Sequence, residues 1–235
     1  MSLKTILFDL DGTLLPMDQD AFIKRYFTEL AAKMVPYGFE TDAFLHTMWN
    51  GVNSMMNNDG SRLNEAVFAE AFLESCGREA TVYADVLESF YRTEFERAKV
   101  HTAYTPKAAE LVKDLRDKGH RLVLATSPVY PRVAVEARMR WAGVSPDDFA
   151  YITTYENSCF CKPNPAYYTE ILRKLGVSPA DCVMVGNDTK DDLPAEQVGI
   201  QVVLMTDCLI NRGGVDMTPY VHGDFDTVGR YLRGL

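Results

Sequence analysis

Reactive side chains stand at four points of the 235-residue chain, three directly after a short apolar run and one in a proline-held loop. Ile6-Leu7-Phe8 leads into Asp9-Leu10-Asp11-Gly12-Thr13, two carboxylates one residue apart followed by a glycine and a hydroxyl. Arg121-Leu122-Val123-Leu124-Ala125 leads into Thr126-Ser127, and Val183-Met184-Val185 into Gly186-Asn187-Asp188, with Asp191 and Asp192 close behind. Lys162 lies in Cys161-Lys162-Pro163-Asn164-Pro165, where the prolines restrict the backbone. Carboxylates as close as Asp9 and Asp11 are costly unless they share a cation or a proton. Together these points offer a nucleophile, an acid or base, a hydroxyl, a cation and a metal-binding carboxylate to one small group.

Such a meeting requires strands whose carboxyl ends share an edge. Short apolar runs bounded by turn signals read as buried strands: Ile6–Phe8, Arg121–Ala125, Phe149–Thr153, Val183–Val185 and Gln201–Met205. Helical patterns alternate with the later ones. One opens at Thr105-Pro106 and stops at Gly119, with proline at the first helical position and glycine just past the end. Others run from about Arg132 to Trp141, from Pro165 to Gly176, and from Leu193 to Val198, while the tail reads as loop with a short helix over 226–232. The alternation predicts a parallel sheet with right-handed crossovers, which binds ligands beyond its strand carboxyl ends.

Residues 18–100 interrupt that rhythm with helical patterns alone. Ala21, Phe22, Tyr26, Phe27, Leu30 and Met34 recur at helix spacing, with Asp18 or Asp20 as cap. Thr41 is expected to cap a second helix presenting Phe44, Leu45, Met48, Trp49 and Val52. After the turn-rich stretch 57–62, a third helix should run from Leu63 to Cys76 and stop at Gly77, and a fourth from Val82 to Lys99. The expected architecture is an α/β core of residues 1–15 and 101–235 carrying an α-helical cap, 16–100.

Composition narrows the function classes. At 47% hydrophobic and 24% charged residues the chain reads as globular. A net charge of −9 leaves no footprint for nucleic acid or an anionic membrane surface. No apolar run approaches bilayer length, and Met1-Ser2-Leu3 leads straight into a strand, so no leader is expected. The five cysteines, Cys76, Cys159, Cys161, Cys182 and Cys208, form no framework and suggest reduced thiols in the cytoplasm. Cys159-Phe160-Cys161 lacks the second half of a metal clip, and neither GxGxxG nor GxxxxGK[ST] occurs.

On Asp9-Leu10-Asp11-Gly12-Thr13, Thr126, Lys162 before Pro163, and Asp188 with Asp192, the chain resembles the haloacid dehalogenase superfamily in its phosphatase branch. The helical insertion directly after the first strand is similar to that superfamily's first cap type. The resemblance implies a Rossmann-like core and Mg²⁺-dependent hydrolysis of a small phosphorylated metabolite. Asp9 would be the nucleophile, forming an aspartyl phosphate. Asp11 would protonate the leaving alkoxide and then deprotonate the attacking water. Gly12, Thr126, Ser127 and Asn187 would surround the phosphoryl group while Lys162 balances charge. The implied metal site comprises Asp9, the Asp11 carbonyl, Asp188 and Asp192. The fourth signature here reads Gly186-Asn187-Asp188 rather than Gly-Asp; spacing to Asp192 puts Asp188 in the ligand position, with Asn187 beside a phosphate oxygen or a metal-bound water. Asp191 is expected only to favour a helix start.

Dehalogenase members lack an acid two residues after the nucleophile, so Asp11 favours phosphate esters. A phosphomutase of the same superfamily is the alternative. A non-catalytic phospho-binding or signalling protein is the reading from another class, although signalling receivers carry no helical insertion after the first strand. Specificity is expected from the cap. Its loop 57–62, Lys24 and Arg25 are candidate substrate contacts, with Arg62 clamping an anionic leaving group. Phe22, Tyr26 and Phe27 read as bundle core. Opening and closing is expected about the links near Pro16 and His101–Tyr104.

Overall fold

The five apolar runs form strands because helices cover both faces of the sheet they make. The structure, a computed structural model, describes residues 3–76 and 80–235. Its strands are β1 (Thr5–Phe8), β2 (Arg121–Leu124), β3 (Tyr151–Ile152), β4 (Cys182–Gly186), β5 (Gln201–Met205) and β6 (Val221–Gly223), in the order β3-β2-β1-β4-β5-β6. All pairs are parallel. Side chains of a strand alternate between faces. Accordingly Leu7, Val123, Met184 and Leu204 pack together on one side, and Ile6, Phe8, Leu124 and Val185 on the other.

β6 departs from the loop expected for the tail. Val221-His222-Gly223 contains no apolar run, and it becomes a strand only because β5 offers an open edge; Thr206 N donates to the Gly223 carbonyl at 2.9 Å.

Between β1 and the next core helix lies the helical insertion: α1 (Gln19–Met34), α2 (Thr41–Met56), α3 (Asn64–Cys76) and α4 (Ala80–Arg92), followed by a 3₁₀ segment, Glu94–His101. Asp18 caps α1, accepting from Ala21 N at 3.0 Å. α2 is capped by Glu40, which accepts from Ala43 N at 2.9 Å, so Thr41 is the first helical residue rather than the cap. The expected stop of α3 at Gly77 lies outside the described residues. The fourth helix ends earlier than its apolar pattern suggests. Thr93 leaves helical backbone and turns its hydroxyl onto the Ser89 carbonyl (2.7 Å), after which the tighter 3₁₀ turn buries Phe95 and Ala98. Hydroxyl bonding to the preceding turn competes with helix continuation.

The core resumes with α5 (Pro106–Asp117), α6 (Arg132–Ala142), α7 (Pro165–Leu175) and α8 (Phe225–Arg233). The two crossings between insertion and core lie side by side. Met17 pairs with Thr102, Ala103 N donates to the Pro16 carbonyl at 2.8 Å, and Asp18 N donates to that of His101 at 3.2 Å. Beyond them the insertion rests on α6, with Trp141 against the rings of Phe22 and Phe95 at 6.4 and 5.1 Å between centroids. No helix among the described residues is long and apolar enough to cross a membrane.

Close packing of α2 on α3 depends on Gly51, where a Cβ would stand 2.6 Å from the Phe68 ring. Gly51→Leu is expected to destabilise the protein by about 1–3 kcal/mol through overpacking. A urea titration should show a lower midpoint at unchanged slope.

Candidate active site

The strand order reverses direction between β1 and β4, so the loops leaving those two strands part and open a crevice at their carboxyl ends. This crevice, about 50 Å³, is lined by Asp9, Asp11, Thr126, Ser127, Lys162 and Asp188, with Gln19, Asn187, Asp191 and Asp192 completing it. Sheet hydrogen bonding carries one residue past β1, Asp9 N donating to the Val185 carbonyl at 2.9 Å, and so fixes the first carboxylate. The chain then folds back tightly, Gly12 N to the Leu15 carbonyl and Leu15 N to that of Leu10, both 2.8 Å. Gly12 has φ +87°, which only glycine adopts readily, and a Cβ there would overlap the Asn187 amide.

Lys162 holds the crevice together from the loop before α7. Its Nζ donates to Asp9 Oδ1 at 2.8 Å and to Asp192 Oδ1 at 2.7 Å. Asp192 Oδ2 accepts from the backbone N–H of Asn187 and of Asp188, both at 3.0 Å. A Cβ at Gly186 would fall on that carboxylate, so glycine at the end of β4 makes room for Asp192. Burial alone would push the Lys162 ammonium toward neutrality; Asp192 and then Asp9 outweigh it and hold its pKa well above the usual lysine value. Asp9 moves the other way. Burial raises its pKa to about 7 against the pull of Lys162, with Asp192 and Asp11 adding to the rise.

Asp11 has a partner that the sequence reading missed. Arg138, a fully buried residue of α6, donates from Nη1 to Asp11 Oδ2 while its guanidinium lies 4.1 Å from the centre of the Tyr130 ring. Asp11 Oδ1 and Arg138 Nη2 are buried without a hydrogen-bond partner. Burial raises the Asp11 pKa, opposed by Arg138 and Lys162. A signal was available: Arg138 falls on the buried face of α6 with Ala134, Val135, Met139 and Trp141. Arginine is almost never fully buried unless paired.

The other predicted residues divide. Thr126 is buried at the crevice, its carbonyl held by Thr153 Oγ1 at 2.6 Å and Tyr167 Oη at 2.9 Å. Asp188 is half-buried there, with Oδ1 accepting from Lys190 N at 2.7 Å and Asp191 N at 3.3 Å. Asp192, expected as a metal ligand, spends both oxygens on Lys162 and backbone N–H groups, which makes it a support for the lysine instead. Asn187, expected beside the phosphoryl group, ties two loops: its Oδ1 accepts from Thr13 Oγ1 at 2.9 Å and its Nδ2 donates to the Cys208 carbonyl at 2.8 Å.

Arg62 does not reach the crevice. It is exposed and paired with Glu70 at 2.5 Å, and Arg25 is likewise paired with Glu29 at 2.7 Å. Neither they nor Lys24 line the cavities against Asp11. The loop 57–62 docks on the core. Asn58 Nδ2 donates to Asn64 Oδ1 at 2.8 Å, Asn64 N donates to the Ser158 carbonyl at 2.9 Å, and the Phe160 ring occupies the space a Cβ at Gly60 would need.

Removing Asp192 leaves a buried ammonium with one carboxylate and two unpaired N–H groups. Asp192→Ala is expected to cost about 3–5 kcal/mol, read by thermal or urea unfolding. Asp192→Asn, which keeps an acceptor, should cost less.

Comparison with known proteins agrees with this geometry. The haloacid dehalogenase-like hydrolase family matches residues 3–199. The glyceraldehyde 3-phosphate phosphatase of Methanopyrus kandleri is 26% identical over 194 residues, 81% of this chain and 78% of that one. The pyrophosphatase PpaX of Oceanobacillus iheyensis is 25% identical over 86% of this chain and 82% of its own. In fold, the chain is similar to a crystal structure of a HAD phosphatase from Thermococcus onnurineus, with a TM-score of 0.59 over 98% of each chain at 22% identity. A strand-end Asp9-Leu10-Asp11 bound to Lys162 at the switch point of this sheet, with a family match over most of the sequence, places the chain among the haloacid dehalogenase-like hydrolases.

Proposed function

We propose that the protein is a Mg²⁺-dependent phosphatase that hydrolyses a small phosphate monoester through an aspartyl phosphate on Asp9. The observation that carries this reading is Lys162, buried and bridging Asp9 and Asp192 at the floor of a crevice that Asp11, Thr126 and Asp188 also line. A carboxylate approaching a phosphate dianion is repelled by about 4 kcal/mol per pair of unit charges at 4 Å and an effective dielectric near 20. Lys162 meets part of that charge with a proton its neighbours keep in place.

The donor set also suits Mg²⁺. That ion is commonly held by one or two carboxylates, substrate phosphate and several waters, in octahedral oxygen geometry. Asp9 and Asp188, with the Asp11 carbonyl, are hard oxygen donors around one crevice, and the raised Asp9 pKa fits a site short of positive charge. No group of three or more His, Cys, Asp or Glu side chains converges into a protein-only cage among the described residues, and such a site does not require one. When bound, the ion would neutralise phosphoryl oxygens and offset the charge on Asp9.

The residues then divide the chemistry. An Asp9 carboxylate oxygen attacks phosphorus, and the bond from phosphorus to the ester oxygen breaks. Asp11 delivers a proton to the departing oxygen. Arg138 pins Oδ2 of Asp11, which leaves Oδ1 to carry that proton, and burial favours the protonated form at the start of the cycle. Asp11, now ionised beside Arg138, takes a proton from the water that cleaves the aspartyl phosphate. The Thr126 hydroxyl and the Ser127 N–H are donors for the phosphoryl oxygens.

Two measurements test this reading. Asp9→Asn should lower kcat by at least about 1,000-fold, as for other nucleophile removals, and abolish acid-stable labelling of the protein by phosphate. In kcat/KM, which reports transfer to Asp9 and not the later hydrolysis, Asp11→Asn should cost about 100- to 10,000-fold on alkyl phosphates but much less on nitrophenyl phosphate, whose leaving group departs without a proton. Equal losses in kcat/KM on both esters would remove Asp11 from the acid role.

The Asp9 pKa gives a metal-binding prediction with a definite sign. A group with a pKa near 7 is about nine-tenths ionised at pH 8 and one-tenth at pH 6, and metal ligation requires the ionised form. Apparent Mg²⁺ affinity, followed by metal-dependent thermal stabilisation without substrate, should fall about tenfold from pH 8 to pH 6. Asp9→Asn should flatten that dependence.

A further inference from the structure

Beyond the crevice, on the far side of Asp11, the space widens into a cavity of about 200 Å³ between the insertion and the core. The two are continuous in their lining, sharing Asp11, Gln19, Thr126, Ser127 and Asp191. A group attached to a phosphoryl centre at Asp9, with its ester oxygen at Asp11, enters this cavity.

Its walls differ in kind from the crevice. From α1 come Phe22, Ile23 and Phe27, and from α2 Trp49, Val52 and Met56. These α2 positions, spaced three and four apart, form an apolar stripe beside Phe44 and Met55, which are buried in the bundle, and buried Met48 reaches the cavity wall as well. Trp49 stays 45% exposed at the rim, its ring tilted against that of Phe27 with centroids 4.8 Å apart. Among the described residues, the charged side chains lining the cavity are Asp11 and Asp191, both acidic. A carboxylate or second phosphate placed there would lose its hydration and gain no cation, with only the acidic Asp191 and the proton-bearing Asp11 at hand, which is strongly unfavourable. The insertion's own basic candidates are turned elsewhere, Arg25 to Glu29 and Arg62 to Glu70. An apolar cavity of about 150 Å³ holds benzene, so this one has room for a substituted ring.

We propose that the leaving group is uncharged and mainly apolar: the substrate class is the phosphate monoester of an aryl-bearing or comparably bulky hydrophobic alcohol, selected by burial in this cavity. The assignment rests on the phosphatase reading and adds to it the chemistry of the group released. It separates this chain from the relatives whose names specify glyceraldehyde 3-phosphate and pyrophosphate.

The test is a kcat/KM series with the Mg²⁺-loaded enzyme on primary alkyl phosphates from ethyl to octyl, whose leaving groups differ little in basicity. Alongside it run 2-phenylethyl phosphate, glycerol phosphate, phosphoglycolate and pyrophosphate. Each added methylene should raise kcat/KM about three- to fourfold until the cavity is full. 2-Phenylethyl phosphate should exceed glycerol phosphate and phosphoglycolate by at least about 100-fold. Trp49→Ala, at an exposed position, should lower kcat/KM for 2-phenylethyl phosphate about tenfold, mostly through KM. Competitive inhibition by 2-phenylethylphosphonate should weaken in parallel. A flat or falling alkyl series, or preference for phosphoglycolate or pyrophosphate, with ester hydrolysis intact, would overturn the inference and spare the phosphatase reading. Absence of hydrolysis across all the esters would overturn both.

Discussion

A buried ammonium between two carboxylates is expensive to assemble and hard to dismantle, and the site depends on the one that Lys162 makes with Asp9 and Asp192. Its three members come from three separate chain segments: the end of β1, the loop before α7 and the loop after β4. Fixing Lys162 therefore fixes the spacing of those segments at the edge of the sheet. The consequences reach the backbone. Asp192 can serve the lysine only because Gly186 leaves room for it, and its second oxygen gathers the N–H groups of Asn187 and Asp188. That turn aims Asp188 at the crevice while Asn187 binds Thr13, just beyond Gly12.

Asp9 and Asp11 stand one residue apart and are governed by different cations. Asp9 meets a lysine that is also claimed by Asp192, in a crevice where burial and neighbouring carboxylates leave it short of positive charge. Asp11 meets Arg138, whose planar guanidinium is wedged between that carboxylate and the Tyr130 ring. Such separate environments set two chemically identical carboxyl groups apart in their proton affinity. Here the sheet supplies one partner and a helix on its face supplies the other.

The insertion closes over this polar floor with an apolar ceiling. Aromatic contacts bind it to α6, and the docking of loop 57–62 beside Ser158 and Phe160 brings it down next to the segment that bears Lys162. The polar crevice and the largely apolar cavity stand side by side, sharing Asp11, Gln19, Thr126, Ser127 and Asp191 in their linings.

Much of this was legible in the sequence, for local reasons. Apolar runs ending in Asp9-Leu10-Asp11, Thr126-Ser127 and Asn187-Asp188 determine strands and place their polar residues at one edge, since strand–helix alternation in a parallel sheet permits little else. Thr105-Pro106, Gly143 and Gly176 mark helix ends through backbone preferences that need no tertiary context. What the sequence left open was every assignment that depends on direction. Whether Asp192 faces a metal or a lysine is decided by Gly186, which opens space for it at the end of β4. Whether Arg62 meets a substrate or Glu70 is decided by how its loop docks. Phe22 and Phe27 lie at the same helix spacing whether they fill a bundle or wall a cavity, because periodicity gives a face and not what stands opposite. β6 exists by grace of a neighbour's open edge, and Arg138 acts on Asp11 across 127 residues of chain. Those pairings are long-range, set by which surfaces the packed sheet and helices bring together, and only the tertiary structure decides them.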